Sequence, residues 1–368
     1  MNPYLSWIKQ LSHNKMLDPE YMVRASRKQL SIKVWRSRIL FWAGGLLTGL
    51  AAVLFTLMCN RADSTFSSFA RLHPYFPFII TPVGLIVIRL LVKRFFPGAE
   101  ASGIPQVIAA LKLDDAKDRR ALVSMKIAIG KFFLTALGFL IGGSLGREGP
   151  TIQLSAAIMY ALRRFSSFKA RDLQKGFLLA GGAAGIAAAF NAPLAGIMFA
   201  IEELSSSFDK FLSGTLITTV VLSGIVAQTL LGNYAYFGTS QASVNILHGG
   251  LWPMLVTAVI GGALGGIFSY SILHFSAKLK PWLNKKMILT LIVFGLLIAG
   301  LGFITHGMTY GSGYEEARGL INGAHTVPWW YGFAKMLATL LTFLTGIPGG
   351  IFAPSLSAGA GFGELMSH

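Results

Sequence analysis

The sequence predicts an all-α polytopic membrane protein with an inverted internal repeat and half-length helices broken inside the bilayer. Three observations lead there. Of 368 residues, 53% are hydrophobic and 13% charged, whereas a soluble domain carries about 25% charge. Apolar runs of about 20 residues recur, the length that one spanning helix needs. Between them lie shorter apolar pieces opened by glycine and proline. Breaks of that kind at corresponding places in two halves point to a transport site near the bilayer midplane. The 42 glycines also fit close helix packing in lipid.

The spans follow in order. Residues 1–38 carry Lys9, Lys15, Arg24, Arg27, Lys28, Lys33, Arg36 and Arg38 against Asp18 and Glu20, a basic segment expected on the cytoplasmic side. Ile39 to Cys59 is an uncharged span, and Phe76 to Val92 a second, ending at Lys93-Arg94. With the N-terminus inside, the connection from Asn60 to Tyr75 is an outside loop and Lys93-Arg94 lies inside. Gln106 to Leu111 is too short to cross, Ile127 to Leu145 is a span containing Lys131, and Thr151 to Leu162 is short again. Gly176 to Ile201 is split by Asn191-Ala192-Pro193 into two half-length helices. Leu212 to Leu231, Leu251 to Ile272, Ile288 to Ile304 and Trp329 to Leu344 complete the series. Glycine pairs four residues apart, Gly45/Gly49, Gly181/Gly185 and Gly261/Gly265, are expected helix-packing faces.

The halves echo each other. Ala101-Ser102-Gly103-Ile104-Pro105 has a loose counterpart in Gly311-Ser312-Gly313-Tyr314. After one intervening span comes a glycine-rich breaker in each half, Gly146-Arg147-Glu148-Gly149-Pro150 and Gly350-Ile351-Phe352-Ala353-Pro354. The first repeat covers about 39–232 and the second about 250–368, within one membrane domain of residues 39–368. By its own symmetry the second half reads as incomplete, and a chain ending at His368 is expected to bind its substrate weakly and to transport nothing selectively.

Composition narrows the function. The net charge of +17 sits in short stretches beside apolar runs, as the positive-inside rule requires, so a nucleic-acid partner is not expected. Cys59 is the only cysteine and the seven histidines show no H-x-x-x-H spacing, so no metal or other cofactor is expected. Gly142-Gly143-Ser144-Leu145-Gly146 fits the G-x-S-x-G elbow of hydrolases, with His306 as the available base, but it lacks the preceding strand that an elbow requires. The chain is not read as an enzyme.

The chemistry concentrates at Glu148. A carboxylate between apolar runs lies at membrane depth, where ionisable groups are costly and functional. Pro150 suits a first helical turn, and Gly149 allows close backbone approach to a ligand. A helix N-terminus attracts anions through free N–H groups and its dipole. An acid there competes with an anion when charged and withdraws when protonated, the outline of a proton-linked anion pathway.

Ser102-Gly103-Ile104-Pro105, Gly146-Arg147-Glu148-Gly149-Pro150, Phe190-Asn191-Ala192-Pro193-Leu194-Ala195-Gly196-Ile197 and Gly350-Ile351-Phe352-Ala353-Pro354, in this order, resemble the CLC family of chloride channels and chloride/proton exchangers. The resemblance runs from about Ile39 to the C-terminus. It implies a multi-pass homodimer with one pathway per subunit, in a bacterial inner membrane, exchanging chloride for protons; the alternative is a passive voltage- or pH-gated chloride channel. It implies Glu148 as the gating glutamate and Glu203 as the inner proton-transfer group. The chloride site would comprise the Ser102 hydroxyl, the Gly149 backbone and the amides of Ile351 and Phe352. Serine at Ser102 looks like the chloride-preferring variant, and the Ser-Gly-Ile-Pro pattern differs from the fluoride-specific branch. Ala101 replaces the family's usual glycine, without strain if its φ is negative. The family's anion-coordinating tyrosine belongs to a later helix, and no tyrosine here is assigned that role. Read without the resemblance, Ser102 is an N-cap, Glu203 the end of a helix leaving the membrane, and Lys131 a paired structural charge.

Overall fold

The computed structural model describes residues 32–166, 171–199, 201–202, 214–232, 235–236, 238–240, 251–324 and 326–367. Most of the basic segment 1–38 and the inner glutamate Glu203 lie outside the described residues. The fold is polytopic and all-α, with α1 Ile32–Leu72, α2 Pro77–Phe95, α3 Ile104–Lys112, α4 Ala116–Leu122, α5 Met125–Leu140, α6 Glu148–Leu162 and α7 Arg171–Ala189. There follow α8 Pro193–Phe199, α9 Gly214–Leu231, α10 Leu251–Lys285, α11 Met287–Ile304, α12 Tyr314–Ile321, α13 Tyr331–Leu344 and α14 Phe352–Ser367. Among the described residues, five helical stretches are long and apolar enough to cross a membrane: Trp35–Leu72, Ala116–Leu140, Gly214–Leu231, Trp252–Leu283 and Met287–Ile304.

Three elements differ from the hydropathy reading. The expected outside loop from Asn60 is helix as far as Leu72, making α1 41 residues long. No glycine or proline interrupts the stretch from Asn60 to Leu72, and its hydroxyls fold back onto the helix: Thr65 donates to the Arg61 carbonyl at 2.7 Å and Ser68 to the Ser64 carbonyl at 2.8 Å. It stops at His73, the residue before Pro74, where a following proline disfavours helical backbone. Likewise α10 continues past Ile272 to Lys285, because lysine ends an apolar run without ending a helix. The short α4 is too charged to register as apolar; Asp115 caps it by accepting from the Lys117 amide at 3.0 Å.

The helix α6 is the centre of the molecule. All but three of its fifteen residues are buried, including the polar Thr151, Gln153 and Ser155, and α7, α1, α5 and α3 surround it. Glycines set the approach distances. A Cβ on Gly45 or Gly49 would meet the Thr219 or Ser223 carbonyl of α9 at 2.6 or 2.7 Å, and one on Gly181 the Ala156 Cα at 2.7 Å. Gly261 and Gly265 of α10, expected to pack likewise, have nothing within 4 Å. At the periphery α10 turns Trp252, Val259 and Leu273 outward, apolar surface suited to lipid.

Candidate functional site

Three broken segments meet at one knot of backbone. The Gly146 amide donates to the Gly350 carbonyl and the Gly350 amide to the Gly146 carbonyl, each at 2.6 Å, an antiparallel bridge between the two breakers. Beside it, the Ala101 amide donates to the Ile347 carbonyl at 3.3 Å and the Gly349 amide to the Ala101 carbonyl at 3.2 Å. The chain needs these bonds because irregular backbone away from water must find internal partners. From this knot α3, α6 and α14 depart.

A cavity of about 500 Å³ opens where those helices begin. Its walls include Ile104, Glu148 and Phe352, which are the first residues of α3, α6 and α14, and Ala192, which precedes α8. Residues from four helix starts therefore line one space, most of whose wall is apolar. A helix start carries amides without intrahelical acceptors and the positive end of a dipole, which together attract an anion.

Glu148 lies in its wall, with 1% of its surface exposed. One carboxylate oxygen accepts a hydrogen bond from the Tyr236 hydroxyl at 2.5 Å. The other oxygen is buried without a hydrogen-bond partner among the described residues, a costly arrangement for a carboxylate. Tyr236 is itself packed between Phe190 and Tyr314, with ring centroids 5.2 Å away in each case, and Phe190 packs on Phe352 at 5.1 Å. Sequence reasoning missed Tyr236. It follows α9 in an aromatic stretch with no periodicity, and its partner stands 88 positions away, so only the tertiary fold reveals the contact. Arg147 donates to the side chain of Asn60, a contact made possible by the unexpected extension of α1.

Ser102 is buried at the crossing of α3 and α6. The N-cap of α3 is Gly103, at φ +109° and without a side-chain cap, so Ser102 is not the cap that its residue type suggested. A Cβ on Gly149 would overlap the Ser102 hydroxyl, and one on Gly103 would come within 2.8 Å of the Gln153 side chain. Glycine at both positions is what lets Ser102 and the start of α6 touch. The structure thus sets Ser102 against Gly149, while Glu148 and Phe352 line the cavity, whose lining does not include Ser102 or Gly149. Ile351 instead lines a small separate space with Ser144 and Thr339. The Ser144 hydroxyl pairs with that of Thr339 at 2.9 Å.

Two fully buried lysines each brace a turn, and Lys131 does so at the knot. On α5, the Lys131 ammonium donates to the Glu100 and Ala101 carbonyls at 3.2 and 2.9 Å. On α13, Lys335 donates to the Thr309, Tyr310 and Gly311 carbonyls at 3.1, 3.0 and 3.0 Å. Each lysine therefore holds the turn before a short helix, α3 or α12, by its backbone oxygens.

Ala101 corrects an expectation: its φ is +56°, not negative. Left-handed backbone costs a non-glycine residue about 1–2 kcal/mol, borne here by the bonds to Ile347, Gly349 and Lys131. Ala101→Gly is expected to raise the thermal midpoint of the detergent-solubilised protein, since relief of that strain outweighs the roughly 0.5–1 kcal/mol entropic cost of glycine. A lower midpoint would mean that the alanine is not strained.

The model of the voltage-gated chloride channel family matches residues 83–368. Solved structures share the fold. A CLC-type fluoride/proton antiporter superposes with TM-score 0.74 at 22% identity, covering 89% of this chain and 79% of its own. A slow cyanobacterial Cl−/H+ antiporter gives TM-score 0.68 at 24% identity, covering 87% of this chain and 76% of its own. A eukaryotic CLC transporter gives 0.69 at 18%, covering 91% of this chain and 60% of its own.

Proposed function

We propose that this protein, which belongs to the voltage-gated chloride channel (CLC) family, exchanges chloride for protons across a membrane, with Glu148 as its gate. The observation that carries the reading is the buried Glu148 carboxylate at a helix start, one oxygen held by Tyr236 and the other without a partner among the described residues, on a cavity lined by residues from four helix starts. A protonatable acid in a space suited to an anion couples the two: when charged it fills the anion's place, and when protonated it gives that place up. The Ser102 hydroxyl and the backbone at Gly149, Ile351 and Phe352 hold the chloride in this reading. It carries no fixed full positive charge at the anion, which suits a halide that must leave again. The internal repeat of about 39–232 and 250–368 is part of the same proposal, supported by the breaker-to-breaker bridge. So are a homodimer and a bacterial inner-membrane location with the N-terminus inside.

The test is chloride-driven proton movement in proteoliposomes. A chloride gradient is expected to drive protons the other way, against their own gradient. Glu203→Gln is expected to abolish the proton movement and keep chloride passage, because a proton entry group off the anion path serves only the proton. Chloride flux with no proton movement in the unsubstituted protein makes it a passive channel instead.

A further inference from the structure

A second polar cavity, of about 230 Å³, lies away from the Glu148 site. Arg120 of α4, Ser124 and Met125 at the start of α5, Tyr160 of α6, and Arg163 and Arg164 on the turn after α6 line it, with no acidic residue among the described residues that do. The Arg163 guanidinium lies 3.4 Å from the Tyr160 ring centroid and donates to the Tyr160 carbonyl at 2.5 Å, so it is held in place. It feels the positive charges of Arg120 and Arg119, a concentration of like charge that an anion relieves. The Ile127 and Ala128 amides return to Ser124, and the amides before them, as at any helix start, have no intrahelical acceptor. Tyr160, another lining residue, is 2% exposed, and its hydroxyl is buried with no hydrogen-bond partner among the described residues.

We propose that this cavity binds a phosphate group, presented as the headgroup of an anionic lipid. Guanidinium forks and first-turn amides are donors that phosphate oxygens take. The lipid source follows from what adjoins the cavity. Met125 in its wall, then Ile129 and Phe133, are spaced by four on α5 and are 40, 48 and 56% exposed. They form an apolar track leading outward from the cavity, where an acyl chain lies while its headgroup enters. The Ser37 hydroxyl of α1 lies 3.3 Å from that of Ser166, which puts the site beside the N-terminal end of α1, the side expected to face anionic cytoplasmic lipid.

Native mass spectrometry of the purified protein, supplied with phosphatidylglycerol or phosphatidylcholine, tests this. Phosphatidylglycerol is expected to stay bound and phosphatidylcholine to be lost. Arg120→Gln/Arg164→Gln removes two exposed charges and is expected to weaken phosphatidylglycerol retention roughly thirtyfold. Lys93→Gln/Arg94→Gln, an equal charge loss at the end of α2, is expected to leave it unchanged. If the first pair destabilises the protein, Arg164→Gln alone gives the smaller version of the same shift. Inorganic phosphate that displaces the lipid identifies the phosphate as the recognised group. Phosphate that binds in calorimetry as well as the lipid makes the occupant a soluble phosphate at the same site. Equal retention in wild type and the Arg120/Arg164 variant, or equal loss in both charge-removed pairs, overturns the proposal.

Discussion

Replacing Glu148 by glutamine is expected to leave chloride flux running while proton movement falls below detection in the same vesicles. Glutamine keeps the size of the side chain, and its carbonyl still accepts from the Tyr236 hydroxyl that lies 2.5 Å from the native carboxylate. What it loses is the ability to take up and release a proton. It also loses the negative charge that competes with an anion at the start of α6. The neutral side chain is then a permanent imitation of the protonated gate. A single carboxylate performs both tasks only because it is buried on the anion cavity. Chloride uptake that a pH gradient still drives in Glu148→Gln would falsify the assignment.

Tyr236 supplies a second arm. If its hydroxyl acts through the carboxylate, Tyr236→Phe frees the gate and raises chloride flux severalfold, from a hydrogen bond to a charged group of about 1.5–3 kcal/mol in mutational series. The same substitution in a Glu148→Ala background then has no effect, because nothing is left to hold. An equal effect in both backgrounds assigns Tyr236 to packing of Phe190 and Tyr314 alone. This cycle separates the latch from the gate: the Glu148 result stands or falls by itself.

The local grammar of the chain carried much of this architecture. Glycine and proline placed the starts of α3, α6, α8 and α14, because those residues act within one turn of where they stand. The split at Asn191-Ala192-Pro193 is visible for the same reason, with Asn191 at φ +55°. Hydropathy located most spans but not where α1 and α10 end, since polarity ends an apolar run and not a helix. Ala101 could not be read correctly, because its left-handed backbone is imposed by Ile347 and Gly349, far away in sequence. Ser102 and Glu148 were legible as types at helix starts, but the approach of Ser102 to the start of α6 depends on the missing Cβ of Gly149. Tyr236 carries no local mark. The site was therefore readable as four motifs, while the bonds that tie them together belong to the folded chain.

The largest effect on stability is expected from Lys335→Met. The ammonium is completely buried and donates to three successive carbonyls, those of Thr309, Tyr310 and Gly311. Methionine matches the length of the side chain, so the change opens little space, and its cost is the loss of donors. Bonds from a charged donor contribute about 1.5–3 kcal/mol each. Leaving a buried acceptor unsatisfied costs about 1–3 kcal/mol, and three carbonyls lose their donor here. For a chain of this size that corresponds to a fall in thermal midpoint of roughly 5 °C or more. Lys131→Met, which frees two carbonyls, is expected to cost less. The damage is also expected to reach transport: the turn that Lys335 holds leads into α12, whose first residue, Tyr314, packs on Tyr236, and Tyr236 holds Glu148. Chloride flux per folded molecule should therefore change in Lys335→Met. An unchanged midpoint means that the three carbonyls find other donors without the lysine. A lowered midpoint with unaltered flux from the molecules that remain folded means that the turn supports the fold and does not reach the gate.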